Sequence, residues 1–161
     1  MKALAYFSQA RGTLDMQIAW DIARVSAARN HGCGVTGYLS AQDGLFFQYL
    51  EGDSATVDAL LIHIREDARH RVLCTREEHG LEHRRFPDWS MQVVASGEAP
   101  DTRLEHLMQV SFDTVRHTPH NVAVLSSALK LTLAQLGDSA SLLEPAAVIE
   151  SARGPVTHPT P

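Results

Sequence analysis

The stretch Leu45-Phe46-Phe47-Gln48-Tyr49-Leu50-Glu51-Gly52 is apolar on both faces of an extended chain, as a central strand between two layers must be, and a carboxamide interrupts it. On the face it shares with Phe46 and Leu50, Gln48 must find hydrogen-bond partners, because a buried unsatisfied polar group costs about 1–3 kcal/mol. Bonds to neighbouring backbone would satisfy it and imply nothing further. Other positions widen the reading. Tyr6 has a hydroxyl to place in mid-strand, Asn30 stands at a helix end, and Trp89 and Met91 are expected to share one face of the last strand. Singly they read as core aromatics, a helix C-cap and core filler. Together they are amides and aromatics around an apolar slot between two helices, which suits a flat, hydrogen-bonding heterocycle.

Other patterns carry less. Gly32-Cys33-Gly34-Val35-Thr36-Gly37 matches GxGxxG, but a dinucleotide site needs a strand before the glycines and a helix after them. Here a helix leads in and a strand leads out, so the segment reads as a glycine-rich turn. His117 with His120, and His79 with His83, have no Cys or carboxylate at a spacing that would complete a metal set, and no metal site is expected. No GxSxG, Walker A or HExxH motif is present, so hydrolase and nucleotide-triphosphatase readings have no support. Cys33 has no neighbouring base to make it a reactive thiol, and Cys74 lies 41 positions away, so no disulfide framework is expected.

The elements that position these residues follow from periodicity. Residues 3–8 alternate as a strand, with Leu4, Tyr6 and Ser8 on one face. Thr13 is a plausible N-cap, with Asp15 in the first turn, for a helix carrying Leu14, Ile18, Ile22 and Val25 and ending near Arg29-Asn30-His31-Gly32. Strands over 35–40 and 45–51 flank Asp43-Gly44, a strong hairpin signal. Gly52-Asp53-Ser54 caps a helix with Val57, Leu60, Leu61 and Ile64 on one stripe. Strands at 72–78 and 89–94 complete a β-α-β-β-α-β-β order, an α+β, ferredoxin-like sheet with two helices on one face. A helix opened by Pro100-Asp101, with Leu104, Leu107, Met108 and Val115, and another after Pro119, with Val122, Leu125, Leu129 and Leu136, are expected to cover the other face, Gly137 ending the last. The expected organisation is a core over 1–97, a helical pair over 98–137 and a disordered tail over 138–161, with a turn at Ala146–Ser151, since four of the seven prolines fall at or after Pro145.

Composition bounds the function. A chain of 161 residues with 44% hydrophobic and 20% charged residues is one ordinary globular domain. Its 14 Lys+Arg against 19 Asp+Glu give a net charge of −5, the wrong sign for a nucleic-acid binder. No apolar run is long enough to span a bilayer and no secretory signal opens the chain, so a cytoplasmic protein without a membrane partner is expected.

Five motifs in order resemble the BLUF domain, the family of blue-light sensors using flavin. They are Ala5-Tyr6-Phe7-Ser8, Asn30 six residues before Thr36-Gly37, Phe47-Gln48-Tyr49-Leu50-Glu51-Gly52, Asp67-Ala68-Arg69-His70, and Arg84-Arg85-Phe86 through Trp89-Ser90-Met91. The resemblance covers about residues 2–95, and the helices after residue 100 resemble the covering pair of short, single-domain members. It implies a noncovalent flavin (FAD first, with FMN or riboflavin as alternatives) between the first two helices, packed by Ile22 and Ile64. Asn30 would bond the ring's carbonyl edge and Gln48 would sit between Tyr6 and the ring. His63, Asp67, Arg69 and His70 would lie near the ring and its ribityl chain, as would Arg29, where many members carry Asn or His. Tyr6, Ser8, Gln48, Trp89 and Met91 would form the photoswitch, which shifts the flavin absorption to the red and relaxes in the dark.

On this reading the chain is a photoreceptor and not an enzyme. Its output runs through the last strand and the helices between Asp101 and Leu136 to an unidentified signalling protein, and length excludes an attached cyclase or phosphodiesterase. The stripe Val122, Leu125, Leu129, Leu136 serves either the monomer core or a homodimer seam, with a homodimer or higher homo-oligomer favoured. A flavin-dependent oxidoreductase and a light-independent adaptor on the same scaffold are the alternatives.

Overall fold

The computed structural model describes residues 1–12, 16–95, 102–118 and 120–139. Within them the element order is β1 (Lys2–Ala10), α1 (Met16–Cys33), β2 (Thr36–Gln42), β3 (Leu45–Gly52), α2 (Ser54–Glu66), β4 (His70–His79), β5 (Gln92–Ala95), α3 (Thr102–His117) and α4 (Val122–Ser139). The strands form one sheet in the order β4-β1-β3-β2-β5, antiparallel except for the parallel β2/β5 pair. Central β1 and β3 are apolar on both faces because helices cover both sides of the sheet.

On one face Leu4, Tyr6, Leu39 and Leu50 pack against Val57, Leu60 and Leu61 of α2, with Ile22 of α1 and Ile64 at the margin. On the other, Phe7, Tyr38, Phe47 and Tyr49 meet Leu104, Leu107, Met108, Phe112 and Val115 of α3 and Leu125, Leu129, Leu133 and Leu136 of α4. Ser111 and Thr132 join those helices through a buried hydroxyl pair at 2.9 Å. The α+β, ferredoxin-like architecture is therefore as expected. Among the described residues, no helix is long and apolar enough to cross a membrane.

Local chemistry explains the turns. Asp43 and Gly44 both take positive φ (+49° and +81°), as a two-residue type I′ hairpin turn requires. Asp53 caps α2 by accepting from the N–H groups of Ala55 (3.1 Å) and Thr56 (3.4 Å). Gly37 (φ +151°) lies so close to β3 that a Cβ there would stand 1.9 Å from the Tyr49 carbonyl oxygen. Its N–H donates to the carbonyl of Trp89 at 2.7 Å, which ties the segment before β5 to β2.

Several expectations need correction. Helix α1 ends at Cys33, past the expected stop. Gly34 takes the left-handed conformation and Val35 N–H donates to Asn30 O at 3.1 Å, a Schellman closure that leaves Asn30 inside the last turn and not at the cap. β5 begins at Gln92, so 89–91 precede the strand. α4 runs through Gly137 to Ser139. On the α4 stripe Leu125, Leu129 and Leu136 are buried in the monomer while Val122 is exposed, so the stripe is core and not a seam between copies. The expected Thr13 cap with Asp15, the Pro100-Asp101 helix start, the Pro119 break and the tail from residue 140, including the turn at Ala146–Ser151, lie outside the described residues.

Candidate functional site

Between α1 and α2, over the sheet, opens a cleft of about 410 Å³. The ten residues expected around a cofactor line it together: Tyr6, Ile22, Arg29, Asn30, Gln48, His63, Ile64, Asp67, Arg69 and His70. Tyr6 and Gln48 are directly opposite each other in the β1/β3 register, so both side chains leave the sheet on the cleft face. Helical spacing brings Ile22, Ser26, Arg29 and Asn30 to one side of α1, and Leu60, His63 and Ile64 to one side of α2, with Asp67 just past the end of that helix.

At the cleft floor is a buried chain of hydrogen bonds. Tyr6 O–H donates to Gln48 Oε1, and Gln48 Nε2 donates to Met91 Sδ at 3.2 Å. Gln48 is 4% exposed. Asn30 donates from Nδ2 to the Ser90 carbonyl at 3.3 Å, so both floor amides reach the segment just before β5. Burial pushes the Tyr6 phenol well above its ordinary pKa, and the Asp67 charge adds to this. The phenol therefore keeps its proton.

The mouth is charged. Asp67 accepts from Arg69 N–H and Nε at 2.9 Å, and these bonds hold its carboxyl down at about 2. His70, the first residue of β4, stacks on Tyr6 with ring centroids 6.2 Å apart. A β-bulge puts it there. The β1/β4 register slips between Phe7 and Ser8, so Ser8 faces Val72 and Ala10 faces His70, while Leu73 is turned toward the α3/α4 side. Burial lowers the His70 pKa below its ordinary value, opposed by Asp67 and reinforced by Arg69 and Arg11.

Three expected switch residues behave differently. Met91 belongs to the cluster of Tyr6 and Leu50, as a cleft residue should. Trp89 does not share that face. It packs toward α3 and α4, on Phe86 (5.0 Å) and edge-on to Tyr38 (6.1 Å), because 89–91 bend ahead of the strand and strand alternation does not apply. Ser8 is fully buried on β1, but its Oγ has no partner among the described residues and does not line the cleft.

Other contributors carried weak signals. Ser26 is small and polar and only its four-residue spacing from Ile22 and Asn30 marks it. Glu51 is 1% exposed, and its carboxylate accepts from the N–H groups of Arg85 (2.8 Å) and Phe86 (2.7 Å) and from the Tyr49 and Thr36 hydroxyls. Arg84 bonds the carbonyls of Glu51 (2.9 Å) and Gly34 (2.6 Å). These contacts pin the segment that delivers Met91. Among the described residues no group of three or more His, Cys, Asp or Glu is arranged to hold a metal.

A planar heteroaromatic fits this cleft. Leu50, Leu60, Ile22 and Ile64 offer apolar walls, two carboxamides stand at the floor, and the buried His70 Nδ1 is unpartnered among the described residues. The volume is within the range that encloses a small ligand.

The sequence profile of the family described as sensors of blue-light using FAD (BLUF) matches residues 1–92. The photoactivated adenylate cyclase subunit alpha of Euglena gracilis is 40% identical over 68 residues, 42% of this chain and 7% of that protein. A bacterial light-regulated adenylyl cyclase structure superposes at TM-score 0.61 with 32% identity, covering 73% of this chain and 35% of that one. The dark-state structure of BlrB, a BLUF protein, superposes at TM-score 0.57 with 28% identity, covering 83% and 95% of the two chains. The chain thus spans a small part of the curated cyclase and nearly all of the shorter protein.

Proposed function

The chain belongs to the family of blue-light sensors using FAD, and from that premise we propose that its cleft holds a noncovalent flavin and that Tyr6, Gln48 and Met91 form the switch that reports absorbed light. The carrying observation is the buried chain Tyr6 O–H to Gln48 Oε1, Gln48 Nε2 to Met91 Sδ. Ile22 and Ile64 hold the ring from the two helices, Asn30 and Gln48 meet its polar edge, and Arg29, His63, Asp67, Arg69 and His70 surround the mouth through which its side chain leaves. When bound, the flavin supplies the absorption of blue light and an acceptor for an electron and a proton.

The rest follows from this chain's own groups. With its proton in place, Tyr6 donates, and the amide that satisfies it presents Oε1. A Tyr6 oxygen that has transiently lost its proton can only accept. The amide that satisfies it is the rotated one, presenting Nε2–H. Met91 Sδ is a weak acceptor and holds the other end of the amide loosely, so it opposes the rotation little. Return of the proton leaves the rotated amide with Oε1 toward a thioether that has nothing to donate. Thermal relaxation in the dark follows from that mismatch.

Output goes to a protein effector through α3 and α4. Gln48 loosens or tightens Met91. The Met91 backbone is continuous with Trp89, whose carbonyl binds Gly37 and whose ring abuts Tyr38, and the Tyr38 hydroxyl reaches Met108 Sδ of α3 at 3.7 Å. The chain itself carries no catalytic step in this account.

The test is the flavin-loaded chain with Tyr6→Phe. Flavin should remain bound and the reversible red shift under blue light should vanish. An intact photocycle in that variant would remove Tyr6 from the donor role. Gln48→Leu is expected to abolish the normal red-shifted state as well.

A further inference from the structure

β4, with 10 residues, is the longest strand of the sheet, yet it stands at an edge; β5, at the other edge, has 4. Natural sheets keep edge strands short, charged or covered, because an edge presents a row of unpaired N–H and C=O groups. Arg76-Glu77-Glu78 guards the second half of β4 with charge, whereas the first half carries Val72, Leu73 and Cys74. A cavity of about 480 Å³ runs beside that first half and is lined by His70 and every residue from Arg71 to Thr75. A cavity on one face of a strand meets alternate residues, so contact with successive ones means that it follows the edge and meets the backbone. Residues from both faces of the sheet wall it. On the α2 side Arg65 reaches the Thr75 hydroxyl at 3.5 Å, and on the other side stand Val122 and Ser126 of α4, with Val122 64% exposed. This slot has the position of a further strand, and among the described residues β4 pairs with β1 alone.

We propose that the slot receives the chain's own segment Ala146-Ala147-Val148-Ile149-Glu150-Ser151, which lies outside the described residues, as an added strand on the β4 edge. Val148 and Ile149 are β-branched, the type that favours extended pairing, and Pro145 and Pro155 bound the run. Helix α4 leads away from the slot: its first turns line the slot at Val122 and Ser126, and it ends at Ser139, about 27 Å from its start. A chain returning along α4 covers about 30 Å between Ser139 and Val148 when extended, which brings Val148 and Ile149 back to the level of Val122. Charge agrees with this placement. Glu144 and Glu150 flank the apolar pair, while the slot is lined by Arg11, Arg65 and Arg71 and by no acidic residue. Tethering within reach gives the segment an effective concentration on the order of millimolar, ahead of a second copy. The slot shares His70 with the cleft, and His70 stacks on Tyr6, so the added strand abuts the wall behind that tyrosine.

The test is NMR on the full chain, kept dark, in the parent and in the double variant Val148→Pro/Ile149→Pro, whose prolines cannot donate to a ladder. In the parent, the amides of residues 71–75 that do not bond β1 should be protected from hydrogen exchange, and nuclear Overhauser contacts should join Val148 and Ile149 to residues 72–75. In the variant those contacts should vanish and the protection should fall by about tenfold or more, while the amides of β1 and β3 stay as in the parent. A sample mixing labelled and unlabelled chains separates the possible occupants. Contacts within one chain, unchanged on dilution, would support the tail. Contacts between chains, or protection lost on dilution, would give the edge to a second copy and overturn the proposal. Free exchange along the edge in the parent, or equal protection in parent and variant, would overturn it as well.

Discussion

Met91 and Trp89, two residues apart, lie on opposite faces of the sheet: Met91 with Tyr6 and Leu50, and Trp89 against Phe86 and Tyr38. The bend between them sends one side chain to Gln48 and the other toward α3. This separates the consequences of replacing each. Met91→Leu keeps the volume but removes the sulfur that accepts from Gln48 Nε2. It should alter the flavin's absorption or the lifetime of its light-induced shift, with the melting temperature nearly unchanged. Trp89→Ala should cost about 2–4 kcal/mol of stability through lost packing and leave dark flavin binding in place. Thermal melts with absorption spectra of both variants check the pair; the opposite pattern would mean the two side chains have exchanged sides.

The pH dependence of stability should carry a signature of His70. Its folded pKa lies below the ordinary histidine value of 6.5, chiefly because burial disfavours the cation. The unfolded chain therefore binds the proton more readily, and the His70 contribution is fully present above pH 6.5 and lost as pH falls through the folded value. Asp67 loses its contribution only lower, between its ordinary 3.8 and about 2. Melting temperatures from pH 7.5 to 5 should fall in the parent and fall less in His70→Gln. An identical slope in both would show that His70 does not titrate differently on folding.

Glu51 is expected to be the anchor of the 84–91 segment. Glu51→Gln replaces one acceptor oxygen by a donor opposite the Arg85 and Phe86 N–H groups. A loss of about 2–4 kcal/mol is expected, since charge-assisted bonds are broken and buried donors left facing one another. Hydrogen exchange at the Arg85 and Phe86 amides, with urea denaturation, would measure it. Unchanged protection there would separate the anchor from the loop.

The α4 stripe belongs to the monomer. Leu129 is fully buried between sheet and α3, so Leu129→Ala should cost about 2–5 kcal/mol and leave the mass in solution as in the parent. A change of oligomeric state without loss of stability would return the stripe to the role of an interface.

Much of this was legible in the sequence where the physics is local. The Asp43-Gly44 turn, the Asp53 cap and the period of Val57, Leu60 and Leu61 each follow from a few neighbouring residues, and each stands as expected. Tyr6 and Gln48 were legible because polar groups on apolar faces are costly and so stand out, whereas Ile22, Arg29, His63, Ile64, Asp67, Arg69 and His70 were expected around the cleft only through the family resemblance. What was not legible depends on distant partners. Asn30 looks like a helix cap until Gly34 supplies the closure and Ser90 takes the side chain. The bulge that turns His70 toward Tyr6, and the hold of Glu51 on residues 34 positions away, leave no trace in local periodicity.

The most direct test is light-minus-dark infrared difference spectroscopy of the flavin-loaded chain grown with isotope-labelled glutamine. The account predicts a glutamine side-chain carbonyl band that shifts under blue light, recovers in the dark, and is absent from both Gln48→Leu and Tyr6→Phe. Flavin bands that change with light while no Gln48 carbonyl band moves would contradict it.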